Sequence, residues 1–215
     1  MTIRSLRHIG AMTRPWWAAD SSALQSRTNV LNSALTGAAV GVVGSGGAVP
    51  TGWAIAAAAN LATEIISITT ESGINVIDLK FSGTTDSTAY SLAFADITSP
   101  AVTTWATSFF EKIVAGSTTN ISSLSVSMGV TGGTGSGSSA FTATSVLTRV
   151  SRTNAVGAGA TNLAPRMLIS FSAGVAIDIT LRIGWPQCEI GPAASSPLRT
   201  TAAQAGVHSS MVGRV

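Results

Sequence analysis

Between Val175 and Trp185, apolar and polar residues alternate without a break. Val175, Ile177, Ile179, Leu181, Ile183 and Trp185 are separated by Ala176, Asp178, Thr180, Arg182 and Gly184. A period of two sends successive side chains to opposite faces, so this stretch predicts a strand with one buried face. The same alternation places Ile77, Leu79 and Phe81 against Asp78, Lys80 and Ser82, and Tyr90, Leu92 and Phe94 against Ser91 and Ala93. It recurs in Leu124, Val126, Met128 and Val130, and again in Met167, Ile169 and Phe171. Further strands are predicted over 64–69, 105–114 and 146–152. Many short strands joined by Ser, Thr and Gly are the pattern of an all-β sandwich. Each strand has a single apolar face, which favours an antiparallel arrangement.

Other stretches lack this signal. The small residues of 35–52 fit neither a helix stripe nor a strand pattern, and Gly44 to Gly47 with Pro50 predict a loop. Gly132 to Ser139 has the composition of a flexible hairpin loop. Residues 1–26 show no sustained period and combine arginines with Trp16 and Trp17, which predicts an extended arm. Residues 201–215 predict a tail that orders against a partner. The organisation is therefore an arm over 1–26, one β-sandwich over 27–200 and a tail over 201–215.

Charged residues make up 10% of the 215-residue chain, against roughly 25% in ordinary soluble domains. Much of the outer surface must then be Ser, Thr, Ala and Gly, which suits close packing between subunits. The net charge is +3, yet the chain has two lysines, Lys80 and Lys112, and Arg4, Arg7, Arg14 and Arg27 cluster ahead of the sandwich. The sandwich itself lacks the clustered basic and aromatic residues of a nucleic-acid surface, so no nucleic-acid partner is expected. Cys188 stands alone, which excludes an internal disulfide, and with His8 and His208 it cannot complete a four-ligand zinc site. Glycines, Pro50 and Asn60 interrupt the apolar stretch over 34–62, so no membrane insertion is expected. No long apolar run follows Arg4 and Arg7, so no signal peptide is expected either.

Catalytic motifs are sparse. Gly133, Gly135 and Gly137 precede no helix pattern, and the chain contains neither Gly-x-Ser-x-Gly nor His-Glu-x-x-His. Paired carboxylates for glycoside hydrolysis would have to come from Asp78, Glu111 and Asp178. The blander reading pairs Asp78 with Lys80 and Asp178 with Arg182 as ordinary surface ion pairs along one strand face. Oxygen-rich sandwich loops hold calcium through carboxylates and backbone carbonyls, and Asp96, Asp178 and Glu189 are the carboxylates such a structural ion would use. No other cofactor is expected.

Two stretches carry a family resemblance. Gln187-Cys188-Glu189-Ile190-Gly191-Pro192-Ala193-Ala194-Ser195-Ser196-Pro197-Leu198 resembles the closing motif Gln-Leu-Glu-x-Gly-x-x-Ala-Thr-Ser-Pro-Ile of phage head-spike and tail-fibre domains. Arg27-Thr28-Asn29-Val30-Leu31 is similar to the Arg-Thr-Asn-Leu-Leu opening of those domains, and Pro50-Thr51-Gly52-Trp53 resembles their Pro-Thr-x-Trp step. Cys188 stands where Leu is usual, Ser195 replaces Thr, and Ala193 stands where an aromatic often does. These domains resemble jelly-roll carbohydrate-binding modules, so the resemblance implies a jelly-roll sandwich borne on a particle. Glycan contact in such a module needs exposed aromatics, for which the candidates are Trp53, Tyr90 and Trp105. The competing reading places these aromatics in the core.

The sequence thus favours a non-enzymatic surface protein of a phage-like particle, a head spike, fibre or tail-associated component contributing to host adhesion. It would assemble in the bacterial cytoplasm and act on the virion surface. The alternative is a host-glycan-binding module whose main role is adhesion to a bacterial surface polysaccharide, and a glycan-cleaving enzyme is less favoured. Low charge predicts a homo-oligomer, a trimer for a fibre or spike and a pentamer at a capsid vertex. Arg4, Arg7, Arg14, Trp16 and Trp17 are the expected anchor to other particle proteins.

Overall fold

The computed structural model describes residues 28–197, all within one compact unit. The expected arm and tail, with Arg4, Arg7, Arg14, Trp16 and Trp17, lie outside the described residues. The first strands are β1 (Gly41–Val43), β2 (Gly46–Gly47), β3 (Ala54–Ala57) and β4 (Ala62–Glu71). They are followed by β5 (Ile74–Thr84), β6 (Ala89–Ala93), β7 (Ile97–Thr98) and β8 (Thr104–Gly116). The last are β9 (Ile121–Thr131), β10 (Gly137–Phe141), β11 (Thr148–Ala155), β12 (Asn162–Phe171) and β13 (Ala176–Ile190). No helix occurs among the described residues.

One sheet runs β11-β8-β13-β5-β4-β1-β2, and the other runs β10-β9-β12-β6-β3 with β7 paired to β12. All pairings are antiparallel except that of β1 with β2. Numbering β5, β6 and β8 to β13 as eight successive strands, the sixth, third, eighth and first lie side by side in one sheet. The fifth, fourth, seventh and second lie side by side in the other. This is the order of a jelly roll, widened at its edges by β4 and β3.

The alternation read from the sequence fills the space between the sheets. Ile77, Leu79 and Phe81 from β5 and Ile179, Leu181 and Ile183 from β13 are fully buried, as are Met167 and Ile169 from β12. A run of edge-on rings crosses this core: Trp53 to Phe94 (4.8 Å), Phe94 to Phe109 (5.2 Å) and Phe109 to Phe141 (5.9 Å). Tyr90 packs edge-on against Phe81 and shares a hydrogen bond of 2.8 Å with Thr63 of the facing sheet. Burial pushes its hydroxyl pKa up to about 12.

Two expected loops turn out to contain strands. The stretch over 35–52 holds β1 and β2, and the hairpin loop over 132–139 ends early because β10 begins at Gly137. Gly and Ser side chains are too small to imprint an alternation, so pairing with a neighbour decides the conformation there.

Candidate functional site

Trp53, Tyr90 and Trp105 are core residues, which corrects the expectation of exposed stacking platforms. Their exposures are 6%, 0% and 5%. The Trp105 indole N–H is also spent, donating to Ala101 O at 3.0 Å. Asp96, Asp178 and Glu189 do not come together. Asp96 is exposed between β6 and β7, Asp178 projects from the start of β13, and Glu189 is buried near its end. Among the described residues, no group of three His, Cys, Asp or Glu side chains is placed to hold a metal ion.

Glu189 belongs to a lock that closes the fold. Pro186 has no N–H to give to a ladder, and β13 passes it through a bulge in which Trp185 takes a left-handed φ of 46°. Beyond the bulge β5 no longer pairs with β13, and the segment around Asn29 takes its place. Asn29 donates to Pro186 O (3.1 Å) and accepts from the N–H groups of Cys188 and Leu31 (both 3.0 Å). Val30 N–H adds a bond to Cys188 O at 3.1 Å. On the other side, Glu189 accepts from Ser195 N–H (2.5 Å), Ser195 Oγ (2.7 Å) and Gln187 Nε2 (2.9 Å). Arg149 donates to Ser195 O and Ser108 Oγ. Asn32 in turn donates to Thr36 O and Thr51 O, fastening the Pro50 to Trp53 step. The motifs that carry the family resemblance therefore meet at one end of the sandwich and hold it shut.

The outer face of the larger sheet carries an ion-pair network. Arg182 clamps Asp78 through Nε (2.7 Å) and Nη2 (2.8 Å) and reaches Glu71 through Nη1 (2.6 Å). Lys112 completes it on Glu71 at 2.8 Å. The expected partners are exchanged: Asp78 pairs with Arg182, and Asp178 with Lys80 at 3.6 Å. Cross-strand register sets Arg182 directly opposite Asp78, which outcompetes neighbours two apart on one strand. Burial raises the Asp78 carboxyl, but hydrogen bonds from Arg182 and Ser67 outweigh it and hold the pKa below the usual range. Glu71 is lowered by Lys112 and Arg182.

Glu111 differs from both. Its register partner is Ile183, so it faces the interior, where it is 1% exposed and neither carboxyl oxygen has a hydrogen-bond partner. Burial pushes its pKa up to about 7.

Open polar surface gathers at the other end, around the turn from β8 to β9. Gly116 has φ +80°, and a side chain there would collide with Asp178 O. Ser117 N–H donates to that carbonyl at 3.2 Å. Asn120 adopts a left-handed φ of 67°, tolerated by its short amide, and its Nδ2 donates to Ala176 O at 2.9 Å. Ser117 Oγ accepts from Thr119 N–H at 3.0 Å. The turn is thus stapled to the start of β13.

A cleft lies on either side of this turn. One, of about 220 Å³, is lined by Ser117, Thr119, Asn120, Ala176, Ile177 and Asp178. The other, of about 160 Å³, is lined by Thr118, Ile121, Ser122, Ser123, Leu124, Phe141, Thr142 and Ala143. Of the candidate site residues read from the sequence, Asp178 alone falls in either cleft. Phe141 was missed because it ends a strand without alternation, and Ser117 to Thr119 were missed because a polar turn carries no motif; Asn120 opens the glycosylation-type triplet Asn120-Ile121-Ser122, which is too common by chance to mark a site. An aromatic that closes a Gly/Ser stretch was the one signal available.

No protein-family model matches the chain, and no curated protein matches it. Solved structures similar to it include one described as "CBM4 structure and function", a carbohydrate-binding module. It is 13% identical, with a TM-score of 0.39 over 65% of this chain and 86% of the other. Another is the carbohydrate-binding module TmCBM61 in complex with β-1,4-galactotriose, 10% identical with a TM-score of 0.38. That match covers 66% of this chain and 90% of the other. Likenesses this distant carry nothing about ligand, and the jelly-roll order rests on the strand pairing itself.

Proposed function

We propose that the sandwich is a non-catalytic glycan-binding module that works at its β8–β9 end. The observation that carries this reading is the pair of clefts flanking one stapled turn, lined by Ser and Thr hydroxyls, an amide and a carboxylate on a rigid strand end. Small concave sites with a few placed polar groups and some apolar wall are what sugar rings require. Hydrolysis needs a carboxyl held protonated where a substrate can reach it. Among the described carboxyls, the one raised toward neutrality is Glu111, which faces the core, whereas Asp78 and Glu71 are lowered by their cationic partners.

A glycan array probed with the full chain, followed by NMR mapping of any hit, tests the reading. Shifts confined to 117–124, 141–143 and 176–178 are expected. No hit at millimolar sugar, or shifts centred on another face, would sink it. Release of reducing sugar would overturn its non-catalytic part.

A second reading, a surface component of a phage-like particle that packs with copies of itself and with other particle proteins, has one observation of its own. The outer face of the smaller sheet is built mostly of small residues, Ser123, Ser125, Ser127 and Gly129 from β9 and Ala89, Ser91 and Ala93 from β6, with Leu168 and Ser170 of β12 between them. Arg166 is the one charged side chain on this face among the described residues, and its guanidinium lies over Gly129. Such a face suits close subunit contact. Sedimentation of a stable monomer at high concentration would count against this reading, and an image of an intact particle carrying this density would favour it.

A further inference from the structure

We infer that the cleft beside Asp178 selects an uncharged glycan and holds it through adjacent hydroxyls of one sugar ring. The inference rests on the glycan-binding reading above and names the ligand class of that site. Among the described residues, the one charged group lining this cleft is an acceptor, the Asp178 carboxylate. Asn120 gives one Nδ2 hydrogen to Ala176 O, and this bond holds its Oδ1 acceptor on a rigid turn. The Asp178 carboxylate is an acceptor at both oxygens, its side chain is 70% exposed, and its described contact is Lys80 Nζ at 3.6 Å, beyond hydrogen-bond length. Ser117 and Thr119 hydroxyls bond each other at 2.7 Å. Sugar hydroxyls are the complementary donors, and two neighbouring ones fit the two oxygens of one carboxylate.

Lys80 supplies the remaining chemistry. It stays close enough to donate to the lone pairs of a hydroxyl that donates its own hydrogen bond to Asp178. Ala176, exposed at the start of β13, offers its methyl group to the C–H face of the ring. An acidic sugar meets the opposite of what it needs, because its carboxylate would stand against Asp178. The charge of the sandwich adds to this. Over 28–197, six Lys and Arg stand against eight Asp and Glu, so the excess of positive charge in the whole chain lies outside these residues.

The test uses the full chain in affinity electrophoresis against dextran, mannan and galactan as neutral polymers, and polygalacturonate and alginate as acidic ones. Retardation by at least one neutral polymer and by neither acidic polymer is expected, weakened about ten-fold or more in Asp178→Ala. Asp178→Lys should lose the neutral polymer to a similar degree and gain the acidic ones. Both variants alter an exposed side chain, and an unchanged denaturation midpoint confirms that they fold. Preference for an acidic polymer, or neutral binding that survives both substitutions, overturns the inference while leaving the module reading intact. Retardation by none of the five defeats the module reading, and the inference falls with it.

Discussion

The two ends of β13 are built from similar residues and put them to different use. At the Gln187–Ile190 end, Asn29, Gln187 and Glu189 direct their polar groups into named partners inside the protein. At the Ala176–Asp178 end, about ten residues or roughly 30 Å away, Asn120 and Asp178 keep acceptors turned toward solvent. The same amide and carboxylate chemistry serves closure where it is saturated and recognition where it is not. Saturation, rather than residue type, separates the two roles.

The sharpest way to break the closing end is Asn29→Ala. It strands the buried N–H groups of Leu31 and Cys188 and the carbonyl of Pro186, so a loss of about 4 kcal/mol and roughly 10 °C in Tm is expected in denaturant and thermal unfolding. Glycan binding at low temperature should survive in the fraction that folds. Glu189→Ala comes next, at about 3 kcal/mol, because Ser195 N–H loses its acceptor and Gln187 Nε2 loses one of its acceptors. Hydrogen exchange should then quicken over 191–197 and stay unchanged over 117–120.

Glu111→Gln has a smaller effect and the opposite sign. Because the folded-state pKa is raised from 4.5 to about 7, the folded protein holds a proton that the unfolded chain releases. The contribution of Glu111 is fully present below pH 4.5 and is lost as pH rises to about 7. The variant should flatten this slope and be more stable than the parent at pH 8, by up to about 2–3 kcal/mol, with little difference at pH 4. Equal pH profiles for the two proteins would show that the carboxyl finds solvent or a partner. Smallest of all is Asp178→Ala, expected to change stability by less than about 0.5 kcal/mol, since its pairing with Lys80 is long and exposed. A larger loss would place Asp178 in the closure class and remove the contrast.

The sequence made the closing end far more legible than the binding end. Strict alternation over Val175 to Trp185 was enough to place β13 and its buried face, and the pairing of β5 with it follows from a second run of the same kind. The Asn29 and Gln187 motifs were visible because closing a jelly roll constrains the identity of each residue in the lock. The turn at Ser117 to Asn120 was not legible, because its geometry depends on carbonyls contributed by a strand some 60 residues later. Trp53, Tyr90 and Trp105 misled for a related reason. A large ring on an alternating strand has the same spacing whether it packs inward or stacks on a sugar, and the facing sheet decides between them.

β13 also has a mechanical consequence. It lies between β5 and β8, touching the cleft with its first residues and the lock with its last. Tension entering through a ligand at Asp178 and leaving through the chain beyond Pro197 would run along this strand, across the direction of its hydrogen bonds. Both force points would lie on one covalent segment, so the backbone of β13 would carry the pull and the ladders on either side would be spared, whereas an edge strand that is peeled opens one bond at a time.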